Sequence, residues 1–100
     1  MTILLGMLAF PSFSYWITAN VSAYTSDENG CLTASGLNVQ EGYIACDDLP
    51  FGTIVIINGV QYIVEDRFGG GYTNRFDIYM SSAEDANNFG RKQISVEVIV

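Results

Sequence analysis

The sequence predicts a single small domain, mainly β, closed into a barrel of about six short strands with one short helix near the C-terminus. Three observations carry this. Runs of β-branched and aromatic residues alternate with polar ones at a period of two, which is the pattern of half-buried strands. Asn58-Gly59 separates two such runs, and this dipeptide supplies both positive-φ residues of a type I′ hairpin turn. Only one segment carries helix signals. Strands this rich in valine and isoleucine present aggregation-prone edges unless the sheet closes on itself, so a barrel is favoured over an open sheet.

The elements follow in chain order. Residues 15–24 place Ile17, Ala19, Val21 and Ala23 on one face and read as the first strand. Residues 27–30 end in Asn-Gly and form a turn. Residues 53–57 and 60–65 are the arms of the Asn58-Gly59 hairpin. Residues 75–80 put Phe76, Ile78 and Met80 on one face, with Asp77 and Tyr79 on the other. Residues 81–89 are the helix, with Ser81 and Glu84 as a capping box and Gly90 as the stop. Residues 93–100 close the chain as a strand with Ile94, Val96, Val98 and Val100 on one side.

One hundred residues, 49% hydrophobic and 15% charged, are enough for one modest core and too apolar for a disordered chain. The net charge of −7 argues against nucleic acid as a partner, because lysine and arginine carry phosphate binding. The absence of histidine confines acid–base chemistry to carboxylates, tyrosines and cysteines, and no metal or cofactor is expected.

No charged residue precedes Asp27. The longest apolar run there, residues 3–10, would span ~12 Å as a helix, against ~30 Å for a bilayer core. Residues 1–14 therefore read as a secretory signal or hydrophobic N-terminal segment, and 15–100 as the barrel. Two cysteines, Cys31 and Cys46, fit an exported protein. A disulfide between them would close a loop worth ~3 kcal/mol, and buried free thiols are the alternative.

A set of motifs makes the reading more specific. Ala23-Tyr24, Thr33-Ala34-Ser35-Gly36, Gly42-Tyr43-Ile44-Ala45-Cys46-Asp47 and Leu49-Pro50-Phe51-Gly52-Thr53 occur in that order. Glu65-Asp66-Arg67 and Asn74-Arg75-Phe76-Asp77-Ile78-Tyr79 follow, and Phe89-Gly90 ends the series. Over residues 20–100 the chain resembles the three-aspartate (3D) domain and, through its TASG and LPFGT segments, the domain of rare lipoprotein A. Both families are double-psi β-barrels, and both include lytic transglycosylases of bacterial peptidoglycan. The resemblance implies that Asp47, Asp66 and Asp77 are the three aspartates, with Asp77 as catalytic acid/base and Asp66 as its supporting carboxylate. Two positions depart from the pattern. Asp66-Arg67-Phe68-Gly69 stands where typical 3D domains have Asp-Thr-Gly-Gly, and Cys46 lies about where rare lipoprotein A has an active-site histidine.

The implied reaction suits these residues. A lytic transglycosylase needs one carboxylic acid to protonate the glycosidic oxygen; the carboxylate then takes the proton of the sugar's own 6-hydroxyl, closing a 1,6-anhydro ring. No water attacks, so the second carboxylate of an ordinary glycosidase is not required. Such an acid needs its pKa raised by burial or by a neighbouring anion. Asp66 would raise that of Asp77, whereas Arg67 or Arg75 would lower it, and a structural ion-pair role for both aspartates is the competing reading. Thr33 and Ser35 are candidates for bonding substrate or the catalytic aspartate, with Asp47, Arg67 and Arg75 in support. Asp48 reads as a turn former. Tyr24, Tyr62, Tyr72 and Trp16 line either a sugar groove or the core; Tyr72, flanked by glycine and polar residues, is the best exposed platform, with Tyr24 beside it as a substrate-binding candidate. The expected partner is peptidoglycan or another cell-wall polysaccharide, met by a secreted or envelope-bound monomer. The alternative is a non-catalytic, expansin-like polysaccharide-binding barrel.

Overall fold

The computed structural model describes residues 13–26 and 31–100. The hydrophobic segment expected over residues 1–14 falls mostly outside these, as does the turn at 27–30. The elements run β1 (Ser14–Tyr24), β2 (Tyr43–Ala45), β3 (Ile54–Ile57), β4 (Val60–Asp66), β5 (Arg75–Tyr79), α1 (Ala83–Phe89) and β6 (Lys92–Ile99). The six strands close into a barrel in the order β1-β5-β2-β4-β3-β6. Four junctions are antiparallel; β1 with β5 and β2 with β4 are parallel.

The alternating pattern translates directly into the barrel interior. Ala19 and Val21 of β1, Val55 and Ile57 of β3, Val64 of β4, Phe76 and Ile78 of β5, and Val96 and Val98 of β6 are buried together with Ile44 and Cys46. Each fully buried valine- to phenylalanine-sized side chain contributes roughly 1.5–3 kcal/mol. Asn58 and Gly59 take φ of 51° and 79°, as a type I′ turn requires. Ala86 is buried where α1 packs on β1.

Several details differ from the sequence expectation. Periodicity did not mark β2, because three residues are too few to alternate; Ile44 and Ala45 are both buried. Ser14 already belongs to β1, and its hydroxyl donates to Glu97 at 2.8 Å. The helix cap is Ser82, whose side chain accepts the Asp85 N–H at 3.2 Å. Ser81 precedes it and gives its own backbone N–H to the Glu41 carboxylate. Val100 lies past β6 and is 76% exposed, so only Ile94, Val96 and Val98 follow the expected face. The Cys31–Cys46 bridge is not formed. Cys31 is exposed, whereas Cys46 is buried in the core as a free thiol that donates to Asp48 at 3.1 Å. Burial, followed by that hydrogen bond, pushes the Cys46 thiol up to about 12, which keeps it protonated and unreactive.

Candidate active site

The register of four adjacent strands assembles the site. Ser22 on β1 pairs with Asp77 on β5, Asp77 pairs with Ala45 on β2, and Ala45 pairs with Asp66 on β4. Two strand spacings thus separate the aspartates, roughly 10 Å between their backbones. Ala45 between them has only a methyl group to fill that space. A pocket of about 300 Å³ results, lined by Tyr24, Ala45, Asp66, Arg67, Phe68 and Asp77. A register shift between Ile44 and Ala45 is what brings Asp66 opposite Ala45.

Asp77 is half-buried and accepts the Ser22 hydroxyl at 2.9 Å. Burial raises its pKa and the negative charge of Asp66 adds to this; the Ser22 bond and the charges of Arg75 and Arg91 oppose it without prevailing. Asp66 is held differently. One oxygen accepts the Tyr24 hydroxyl at 2.8 Å, and the other accepts the Ala34 and Arg67 backbone N–H groups, each at 2.9 Å. Burial and the bond to Asp66 push the Tyr24 phenol well above its usual range, so it remains a proton-bearing donor. The two carboxyls therefore sit in different settings: Asp77 is half-buried with its pKa raised by desolvation, and Asp66 accepts three hydrogen bonds.

The supporting residues act at one remove. Thr33 is buried, its hydroxyl lies 3.0 Å from that of Ser35, and it accepts the Leu37 N–H at 3.2 Å. This turn docks through Ser35 N–H on the Glu65 carbonyl at 3.2 Å and so delivers the Ala34 N–H to Asp66. Asp47 accepts four backbone N–H groups, from Phe68 (2.7 Å), Gly69, Gly70 and Tyr72 (each 3.1 Å). Desolvation opposes its ionisation, but these four donors prevail and lower its carboxyl to about 2. Asp48 accepts Asn74 N–H at 3.2 Å, so it also ties down the loop that joins β4 to β5.

Among the described residues, neither Arg67 nor Arg75 is held in an ion pair with the pocket aspartates. Arg67 donates to the Cys46 carbonyl at 2.7 Å and lies 3.8 Å over the Phe51 ring. Arg75 lies over Phe68 (4.7 Å) and Tyr72 (4.5 Å), with its Nε buried and unpartnered. Tyr24 and Tyr72 lie in different settings: Tyr24 is in the pocket wall, edge-on to Tyr79 at 5.5 Å, and Tyr72 is 46% exposed on the loop. Trp16 is 64% exposed on β1 and Tyr62 is half-buried against the core. Sequence reasoning gave no role to Ser22, Ala45 or Phe68. The period of two could have found Ser22, because it shares a strand face with Tyr24. A second, larger pocket of about 570 Å³, bounded by Tyr15, Pro50, Phe51, Ile54, Val98 and Val100, is mainly apolar and is lined by no Asp or Glu side chain.

No family model matches the chain. The chain is similar to the cell wall-binding protein YocH of Bacillus subtilis (strain 168), with 30% identity over 92 residues. The similarity covers 83% of this chain but 32% of that protein, so the chain spans about a third of its relative's length.

Proposed function

We propose that the protein cleaves the glycan strands of peptidoglycan as a lytic transglycosylase, with Asp77 as acid/base. The observation that carries this reading is the paired setting of the two carboxyls in one pocket, with Asp77 half-buried and its pKa raised, and Asp66 accepting three hydrogen bonds. Protonated Asp77 donates its proton to the glycosidic oxygen as the C1–O bond breaks. The resulting carboxylate accepts the proton of the 6-hydroxyl as that oxygen bonds to C1, giving a 1,6-anhydro sugar and returning Asp77 to its starting state. Asp66, held by Tyr24, Ala34 and Arg67, supplies negative charge beside the oxocarbenium-like transition state.

A closed barrel of six strands with two parallel junctions supports the double-psi assignment and with it the 3D-domain resemblance. Similarity to a protein named for cell-wall binding supports a wall polysaccharide as partner and an envelope or extracellular location. The same name favours a second reading, a barrel that binds the wall polysaccharide without cutting it. Incubation with purified sacculi, followed by mass spectrometry, separates the two. Release of 1,6-anhydromuramyl products is expected. Sedimentation of the protein with sacculi and no such product would leave the binding reading in its place.

A further inference from the structure

The loop between the two pocket aspartates, residues 67–74, contains Gly69-Gly70-Gly71, a composition that ordinarily gives a mobile connection. Here its backbone N–H groups are gathered by carboxylates from the segment after β2: four by Asp47 and one by Asp48. What this order positions is a layer of side chains beside the pocket. The Phe68 ring lines the pocket and meets Tyr72 edge-on, with centroids 5.6 Å apart. The Arg75 guanidinium covers both rings, and Arg75 sits two residues before Asp77 on β5. Gly70 belongs to the same construction. A Cβ there would come within 2.6 Å of the Tyr72 ring, so only glycine lets the ring rest where it does.

We propose that Phe68, Tyr72 and Arg75 form a second, preorganised sugar subsite, adjoining the Asp66–Asp77 pocket, and that Asp47 is its positioning residue. The ligand is a neutral pyranose ring of the same glycan strand, stacking its C–H face on the part of the Tyr72 ring that the Arg75 guanidinium leaves exposed. This rests on the reading of the pocket as a glycan site. Continuity supports it: Phe68 is at once a wall of the pocket and a neighbour of Tyr72, which is 46% exposed. An aromatic surface held in advance loses little entropy when a sugar binds, which is what the stapled glycines accomplish.

The test is the kinetics of 1,6-anhydro product release from purified sacculi by wild type, Tyr72→Ala, Gly70→Ala, Asp47→Asn and the Asp47→Asn/Tyr72→Ala double variant. Gly70→Ala is the key control, because the three atoms nearest the added Cβ all belong to the Tyr72 ring, while the Gly70 backbone N–H that Asp47 accepts is retained. Tyr72→Ala and Gly70→Ala are expected to raise the half-saturating sacculus concentration, about tenfold for Tyr72→Ala, with maximal rate and pH profile little changed. Asp47→Asn should do the same, and the double variant should be no worse than the more affected single. Unchanged half-saturation in both Tyr72→Ala and Gly70→Ala, with wild type active, overturns the subsite and leaves the pocket assignment standing. Fully multiplicative effects of Asp47→Asn and Tyr72→Ala overturn the positioning role. No product from wild type overturns the reading on which both depend.

Discussion

Asp47 and Asp77 are chemically identical side chains that the fold drives in opposite directions. Asp47 meets four backbone donors and its carboxyl falls from 3.8 to about 2. Asp77 is desolvated and its pKa rises. The consequences for stability have opposite signs. The contribution of Asp47 is fully present above the ordinary aspartate range and is lost as pH falls through about 2. The contribution of the protonated Asp77 is complete below the ordinary range and is lost as pH rises through its raised value. Denaturant unfolding from pH 2 to 6 should therefore show the gap between wild type and Asp47→Asn narrowing as pH falls. The gap between Asp77→Asn and wild type should instead widen in favour of asparagine as pH rises, since asparagine removes the buried charge and can still accept the Ser22 hydroxyl. The sequence marked Asp66 and Asp77 through their motifs. It could not show that burial, rather than Arg75, sets the proton affinity of Asp77, because that depends on which groups the barrel leaves uncovered.

Elements differed in how far the sequence revealed them. The β3–β4 hairpin was plain from Asn58-Gly59, because few residues other than these adopt two successive positive φ values. β2 was hidden, since three residues cannot establish a period, yet it lies between the strands that carry Asp66 and Asp77. The cap of α1 is Ser82, one residue later than expected, because two serines compete for that position and Glu41 captures the Ser81 N–H from outside the helix. The two serines therefore have different weights. Ser82→Ala should cost about 1 kcal/mol in denaturant unfolding, the usual value of a lost N-cap. Ser81→Ala should cost less, because its bond to Glu41 uses the backbone and survives loss of the side chain.

At the scale of the molecule, periodicity identified which residues enter the core but not which strands are neighbours. The order β1-β5-β2-β4-β3-β6, with its two parallel junctions, is a long-range property, and it alone brings Ser22, Asp77, Ala45 and Asp66 into one row. The charge of −7 gains meaning in this setting. Three of the four basic residues, Arg67, Arg75 and Lys92, lie over aromatic rings. The wall proposed as its partner is itself anionic, so on that reading long-range electrostatics oppose the encounter and salt screens that opposition. Retention on sacculi should rise between about 20 and 200 mM salt, across which the screening length shortens severalfold; a steep fall would mean that cationic contacts carry binding. The most direct test of Asp77 as acid/base is the pH–rate profile for 1,6-anhydro product release from sacculi by wild type and Asp77→Asn. The wild-type rate is expected to fall as pH rises past the raised value of Asp77, with no product from a folded Asp77→Asn variant. Product formation by Asp77→Asn at the wild-type rate would contradict that role.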